Sequence, residues 1–116
     1  MRTLGDLEAA VMDVIWHADE PLSVRQVLEQ VRRNPPLAYT TIQTVMDNLH
    51  KKDVLKRRCE GRAFVYWPVK QRADFTADLM NDLLNDSGDR SMTLLRFVDK
   101  VSRSELRRLK KALNDD

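Results

Sequence analysis

The chain has 116 residues, 42% of them hydrophobic and 33% charged, a balance that suits one or two small folded units and excludes a disordered chain. Its formal net charge is only +2, so the total says little about partners, and no apolar run nears the roughly 20 residues needed to span a bilayer. One cysteine, Cys59, and two histidines, His17 and His50, exclude an intrachain disulfide and leave no cluster with metal-ligand spacing. No membrane insertion, metal or cofactor is expected. Met1-Arg2-Thr3-Leu4-Gly5 lacks the apolar segment of a signal peptide, which points to a cytoplasmic location.

The first predicted helix runs over residues 7–16, with Asp6 as its N-cap and Leu7, Val11, Val14 and Ile15 recurring at helical spacing. Met12 and Trp16 extend that stripe. Asp19-Glu20-Pro21 ends the segment. Ser23-Val24-Arg25-Gln26 then reads as a capping box, with Leu22 and Val27 placed as a hydrophobic staple, and opens a second helix over residues 24–31. Asn34-Pro35-Pro36 cannot continue a helix, because proline lacks the amide hydrogen and biases its predecessor to extended geometry.

A third helix covers residues 38–52. Advancing about 100° per residue, Ile42, Val45, Met46 and Leu49 fall on one arc, the core face. The opposite arc carries Thr40, Thr44, Asp47 and Lys51, with Gln43, His50, Thr41 and Asn48 on its shoulders and nothing apolar facing outward. Threonine offers a methyl to thymine and a hydroxyl to a base or phosphate, and glutamine can bond an adenine edge in two places. A hairpin over residues 54–69 follows, with Val54, Val65 and Val69 as strand residues and Glu60-Gly61-Arg62 as the turn. Residues 51–62 hold six basic side chains (Lys51, Lys52, Lys56, Arg57, Arg58, Arg62) against two acids, Asp53 and Glu60, a local net charge of +4. Phe64, Tyr66 and Trp67 are expected to pack between this hairpin and the helices, and Cys59 to be a small, half-buried strand residue.

After Pro68 the composition changes. Phe75, Leu79, Met80, Leu83 and Leu84 make an amphipathic helix that Asn85-Asp86-Ser87-Gly88 stops, and Met92, Leu94, Leu95, Phe97, Val98 and Val101 make another. Ser102-Arg103-Ser104-Glu105 reads as a second capping box before a last helix striped by Leu106, Leu109 and Leu113, with Val101 and Leu106 as its staple. Three short helices without disulfide or metal bury too little surface to be stable alone. Pairing with a second copy is therefore expected, through Phe75, Leu79, Leu83, Leu94, Phe97, Leu106, Leu109 and Leu113. The alternative is a bundle packed on its own N-terminal domain.

The predicted architecture is mainly α: a winged helix-turn-helix over residues 1–69, then a three-helix dimerisation domain over residues 70–116. A polar-faced helix beside a basic ribbon is what duplex DNA requires, one element for the major groove and one for phosphates. The predicted readout residues are Thr40, Gln43 and Thr44, with Lys51, Arg57, Arg58 and Arg62 on the basic side. A homodimer would read a palindrome and join two weak half-site contacts into one strong event. Nothing points to an enzyme: there is no glycine-rich phosphate loop or metal cluster, and neither histidine lies in a motif that would orient it as a base. The competing readings are a winged helix that docks a protein partner, and a DNA-binding activator.

Leu7-Glu8-Ala9-Ala10-Val11-Met12-Asp13-Val14-Ile15-Trp16, Tyr39-Thr40-Thr41-Ile42-Gln43-Thr44-Val45, Leu49-His50-Lys51-Lys52 and the strand at residues 63–68 resemble the penicillinase repressor family (BlaI/MecI/CopY type). The resemblance covers nearly the whole chain. It implies a homodimeric winged-helix repressor of palindromic operators upstream of β-lactamase or related genes, often including its own operon. It also implies, for the best-known branch, release by a membrane-bound sensor protease that triggers cleavage in the dimerisation region. Carried over, the operator-contacting helix falls on Thr40, Thr41, Gln43 and Thr44, and the backbone-contacting wing near Arg57, Arg58 and Arg62. Two departures stand out: Asn48 where arginine is frequent, next to an added acid at Asp47, and Arg96-Phe97 where the cleaved bond of the best-known members joins asparagine to phenylalanine. The copper-responsive branch resembles cysteine-tailed proteins, and Ala112-Leu113-Asn114-Asp115-Asp116 has no such tail, so copper sensing is not expected.

Overall fold

The computed structural model describes residues 4–31, 33 and 35–115. Helix α1 spans Asp6–His17 and begins one residue earlier than the sequence predicts. Gly5, not Asp6, is its N-cap, because the Glu8 carboxylate reaches back to accept the Gly5 N–H at 3.0 Å. Asp6 becomes the first helical residue, where its charge meets the positive end of the helix dipole. Val11, Met12 and Ile15 form the buried stripe.

A two-residue strand, β1 (Leu22–Ser23), precedes helix α2 (Val24–Gln30). The predicted capping box is fully formed: Ser23 Oγ accepts the Gln26 N–H at 3.2 Å and Gln26 Oε1 accepts the Ser23 N–H at 2.8 Å. Val31 is the C-cap rather than the last helical residue. Of the proline turn that follows, Asn34 lies outside the described residues, and Pro35 and Pro36 are exposed and non-helical.

Helix α3 spans Tyr39–Lys51, between Ala38 and Lys52 as caps, with Ile42, Met46 and Leu49 buried and Val45 half-buried. Asp53 reverses the chain. It adopts φ +63°, the left-handed region that side chains such as Asp and Asn tolerate best. There the Asp53 and Val54 amides donate to His50 and Leu49 carbonyls at 3.1 and 2.9 Å, closing the end of α3. Strands β2 (Leu55–Glu60) and β3 (Ala63–Pro68) form an antiparallel hairpin whose last pair is Glu60 with Ala63. Its loop is Gly61-Arg62, and of these only Gly61 has positive φ, +66°, as the first position of a type II′ turn demands.

The sheet order is β1-β3-β2, with Leu22 opposite Tyr66 and Ser23 opposite Val65. Two residues are too few to display alternation, so β1 has no sequence signature of its own. Val11, Met12, Val27, Ile42, Met46, Leu49 and Leu55 fill the space between the three helices and the sheet. Three helices closed by a three-stranded sheet with a projecting β2–β3 hairpin constitute a winged helix-turn-helix, the fold predicted.

The chain divides into two units, the first ending at Thr76 and the second starting at Ala77, a division inside helix α4 (Arg72–Asn85). The first turn of α4 belongs to the winged-helix unit. Phe75 is buried with its ring centroid 5.3 Å from that of Trp16, Trp16 Nε1 donates to the Lys70 carbonyl at 3.0 Å, and Arg72 pairs with Asp13 at 2.7 Å.

The second unit holds the rest of α4, helix α5 (Arg90–Val98) and helix α6 (Arg103–Asn114). Gly88, at φ +86°, breaks the chain after α4, and Asp89 caps α5 by accepting the Met92 N–H at 3.0 Å. Arg90 donates to the side-chain oxygens of Asn85 and Asn81, each at 2.8 Å, tying α5 to α4. Val101, predicted in the α5 stripe, lies beyond the helix end. The box at Ser102 is half made: Ser102 Oγ accepts the Glu105 N–H at 3.2 Å, while the Glu105 carboxylate accepts from the Ser102 hydroxyl instead of its amide. Neither α5 nor α6 buries a residue.

Candidate nucleic-acid interface

Burying Ile42, Met46 and Leu49 fixes the rotation of α3, so Thr40, Thr41, Gln43, Thr44 and Asn48 face solvent. Among the described residues no hydrogen bond within the chain engages the side chains of Thr40, Thr41, Gln43 or Thr44. Their donors and acceptors are thus available to a ligand. Near the N-terminal end of α3, the Arg25 guanidinium stands 5.3 Å from the Tyr39 ring centroid, adding an exposed cation. Nothing in the spacing of two residues fourteen apart announces that contact; it exists only once α2 is set against α3.

The basic residues divide into two kinds. Lys56, Arg58 and Arg62 are exposed on β2 and its turn. Arg58 lies 5.5 Å from the Trp67 ring centroid and pairs with Glu60 at 3.2 Å. Such an exposed pair is worth at most about 1 kcal/mol and yields readily to a phosphate. Arg57 is different. Its side chain is only 24% exposed, Nη1 meets Asp47 Oδ1 at 2.9 Å and the Tyr66 hydroxyl at 3.5 Å, and the guanidinium sits 4.1 Å from the Phe64 ring centroid. Predicted as a phosphate contact, Arg57 is occupied within the chain.

Asp47 is the other end of that contact. Its second oxygen receives Lys51 at 3.1 Å. The Lys51 hydrogen bond first, and that of Arg57 second, hold the Asp47 carboxyl below the usual aspartate range, so it is a full negative charge at neutral pH. Lys51 remains 70% exposed and can swing away.

Tyr66 is buried and Trp67 half-buried, as predicted, but Phe64 is exposed, with the Arg57 guanidinium over its face. Cys59 is exposed, not half-buried, because it pairs with Phe64 beyond the end of the core.

Of the residues predicted for dimerisation, Phe75 is buried against Trp16. Leu79 and Leu106 are half-buried, whereas Leu83, Leu94, Phe97, Leu109 and Leu113 are exposed. The Arg96-Phe97 bond lies within the last turn of α5. No described helix is long and apolar enough to cross a membrane.

The model of the penicillinase repressor family matches residues 4–115. The chain is 44% identical to the transcriptional regulator BlaI of Mycobacterium tuberculosis, over 97% of its own length and 84% of that protein. It is 29% identical to the penicillinase repressor of Bacillus licheniformis, over 97% and 90% respectively. Among solved structures it is similar to the monomeric form of Bacillus licheniformis BlaI in complex with the blaP half-operator, with a TM-score of 0.51 at 33% identity, covering 63% of this chain and 88% of that one.

Proposed function

The chain belongs to the penicillinase repressor family, and from that premise we propose that it represses transcription as a homodimer on a palindromic operator, controlling β-lactamase or related genes and its own operon. The observation that carries this reading is the set Thr40, Thr41, Gln43 and Thr44 on the outward face of α3, polar, exposed and unengaged within the chain, beside the exposed Lys56, Arg58 and Arg62. Thr40, Thr41, Gln43 and Thr44 read base edges, Lys51 and the wing cations meet phosphates, and no chemistry is catalysed.

The second copy is argued from α5 and α6. Leu95 is 62% exposed and Leu113 77% exposed on helices without a fully buried residue, and apolar surface of that kind is normally covered by a partner. One protomer then holds each half-site, in keeping with the half-operator bound by the Bacillus licheniformis monomer. Derepression acts on this half of the chain. A membrane-bound sensor protease would trigger a cut at Arg96-Phe97, separating α6 and dissolving the linkage between half-sites while leaving α3 intact. The bond is helical, so the last turn of α5 must open before any protease can seat it.

The test is a titration of purified protein against its own upstream intergenic DNA, at two salt concentrations with random DNA as competitor. Binding that survives the competitor and weakens steeply with salt supports the reading. Binding equal on random DNA overturns it and brings the protein-partner reading forward.

A further inference from the structure

Helix α3 and strand β2 run antiparallel and are joined at two levels. His50 Nδ1 lies 3.0 Å from the Leu55 carbonyl oxygen, and Asp47 meets Arg57 at 2.9 Å. Asp47 and His50 are one turn apart on the helix; Leu55 and Arg57 are two apart on the strand and share a face. Three helical residues rise about 4.5 Å and two strand residues about 6.6 Å, a difference of about 2 Å that the long Arg57 side chain spans in reaching Asp47. The Asp47–Arg57 rung is the reinforced one, since the guanidinium stands over the Phe64 ring, 4.1 Å from its centroid, and the buried Tyr66 places its hydroxyl 3.5 Å from Nη1.

We propose that Asp47 and Arg57 are positioning residues for operator recognition: the pair is a strut that sets the angle of the wing against the base-reading face of α3, and Arg57 acts through Asp47 and Phe64 rather than on a phosphate. The inference rests on the operator-binding reading above. The Asp47 carboxylate needs a reason to be there, because an acid on a helix that approaches DNA repels every phosphate. A surface acid with no further role would lower affinity for all sequences alike. A strut instead changes which sequences are accepted, by letting α3 and the wing engage at the same time only in one geometry.

The two roles differ in sign, which makes them separable. Wild type, D47N, D47E, R57Q and the D47N/R57Q double variant are titrated by fluorescence anisotropy against upstream operator DNA and a random duplex of equal length, over a range of salt. The quantity read is the ratio of operator to random affinity, in which any loss of folded protein cancels. The expected result is a roughly tenfold fall in that ratio for D47N and for R57Q, no further fall in the double variant, and recovery with D47E. The slope of log K against log salt stays at the wild-type value in R57Q. An unchanged ratio with tighter binding to both DNAs in D47N overturns the proposal, as does a slope in R57Q reduced by about 0.9 per protomer, the mark of a phosphate no longer neutralised. A wild type that does not discriminate between the duplexes overturns the operator reading itself, and the inference with it.

Discussion

Leu49 and Leu109 occupy equivalent places in their helices, each on the apolar stripe of an amphipathic segment, yet Leu49 is fully buried and Leu109 is 56% exposed. The contrast holds for the two units they represent. Every buried hydrophobic residue among those described lies between Val11 and Phe75, and α5 and α6 contribute none. Amphipathic periodicity records that a face is to be covered, not what covers it. In the winged-helix unit the cover is the chain itself; in the helical unit the proposed dimer assigns the cover to a second copy, which would tie its stability to protomer concentration.

That contrast is sharpest in a matched pair of truncations. Leu49→Ala is expected to cost about 2–5 kcal/mol of unfolding free energy in chemical denaturation, because a cavity opens in a closed core. Leu109→Ala at low protein concentration is expected to change the same measurement by no more than about 0.5 kcal/mol. Equal costs would mean that α6 already has a complete core. Next in size, Leu109→Asp is expected to give monomers in sedimentation velocity and to weaken operator binding on the order of 10²-fold, through loss of the effective concentration that links half-sites. A variant that stays dimeric would remove α6 from the interface.

Much of this contrast is legible in the sequence, and the reasons are local. Ser23 and Gln26 sit three apart ahead of an apolar run, and the box they predict is made in full. Ile42, Met46 and Leu49 announce the rotation of α3, and with it which threonines face outward. What is not legible depends on tertiary placement. Glu8 displaces Asp6 as the organiser of the first cap because Lys52, 44 residues away, gives its carboxylate a second partner. Arg57 looks like any wing cation until β2 folds back along α3 and meets Asp47. Phe64 looks like a core aromatic until the register places it opposite Cys59, one pair from the hairpin turn, where it stays exposed.

A smaller effect separates the exposed cations of the wing from the occupied one. Replacing Arg58 and Arg62 with glutamine is expected to weaken binding to operator and random DNA alike and to lower the salt slope by about 0.9 for each phosphate left without its cation, per protomer. An unchanged slope would take both out of the interface. The smallest effect is a pH dependence confined to the winged-helix unit. The Lys52 hydrogen bond, opposed in part by burial and assisted by the Gly5 amide, holds the Glu8 carboxyl below its ordinary value of 4.5. Its folded pKa is thus depressed, so the stabilisation is complete above the ordinary value and is lost as pH falls through the lowered one. Denaturation of Glu8→Gln is expected to show a flatter loss of stability than wild type as pH falls below the ordinary value of 4.5. Parallel curves would mean that the Glu8–Lys52 pair contributes nothing.

The clasp at the first turn of α4 has an optical consequence. Both tryptophans of the chain, Trp16 and Trp67, lie before the division at Thr76, and the helical unit contains none. Intrinsic emission therefore reports on the winged-helix unit alone, while far-ultraviolet ellipticity sums over both. Trp16 also carries a hydrogen bond to Lys70 and a tilted contact with Phe75, so its wavelength registers whether α4 is docked at its start. If the proposed dimer holds, protein diluted until its copies separate is expected to lose ellipticity from α5 and α6 while its tryptophan spectrum stays unmoved, and the two signals read together tell the two units apart.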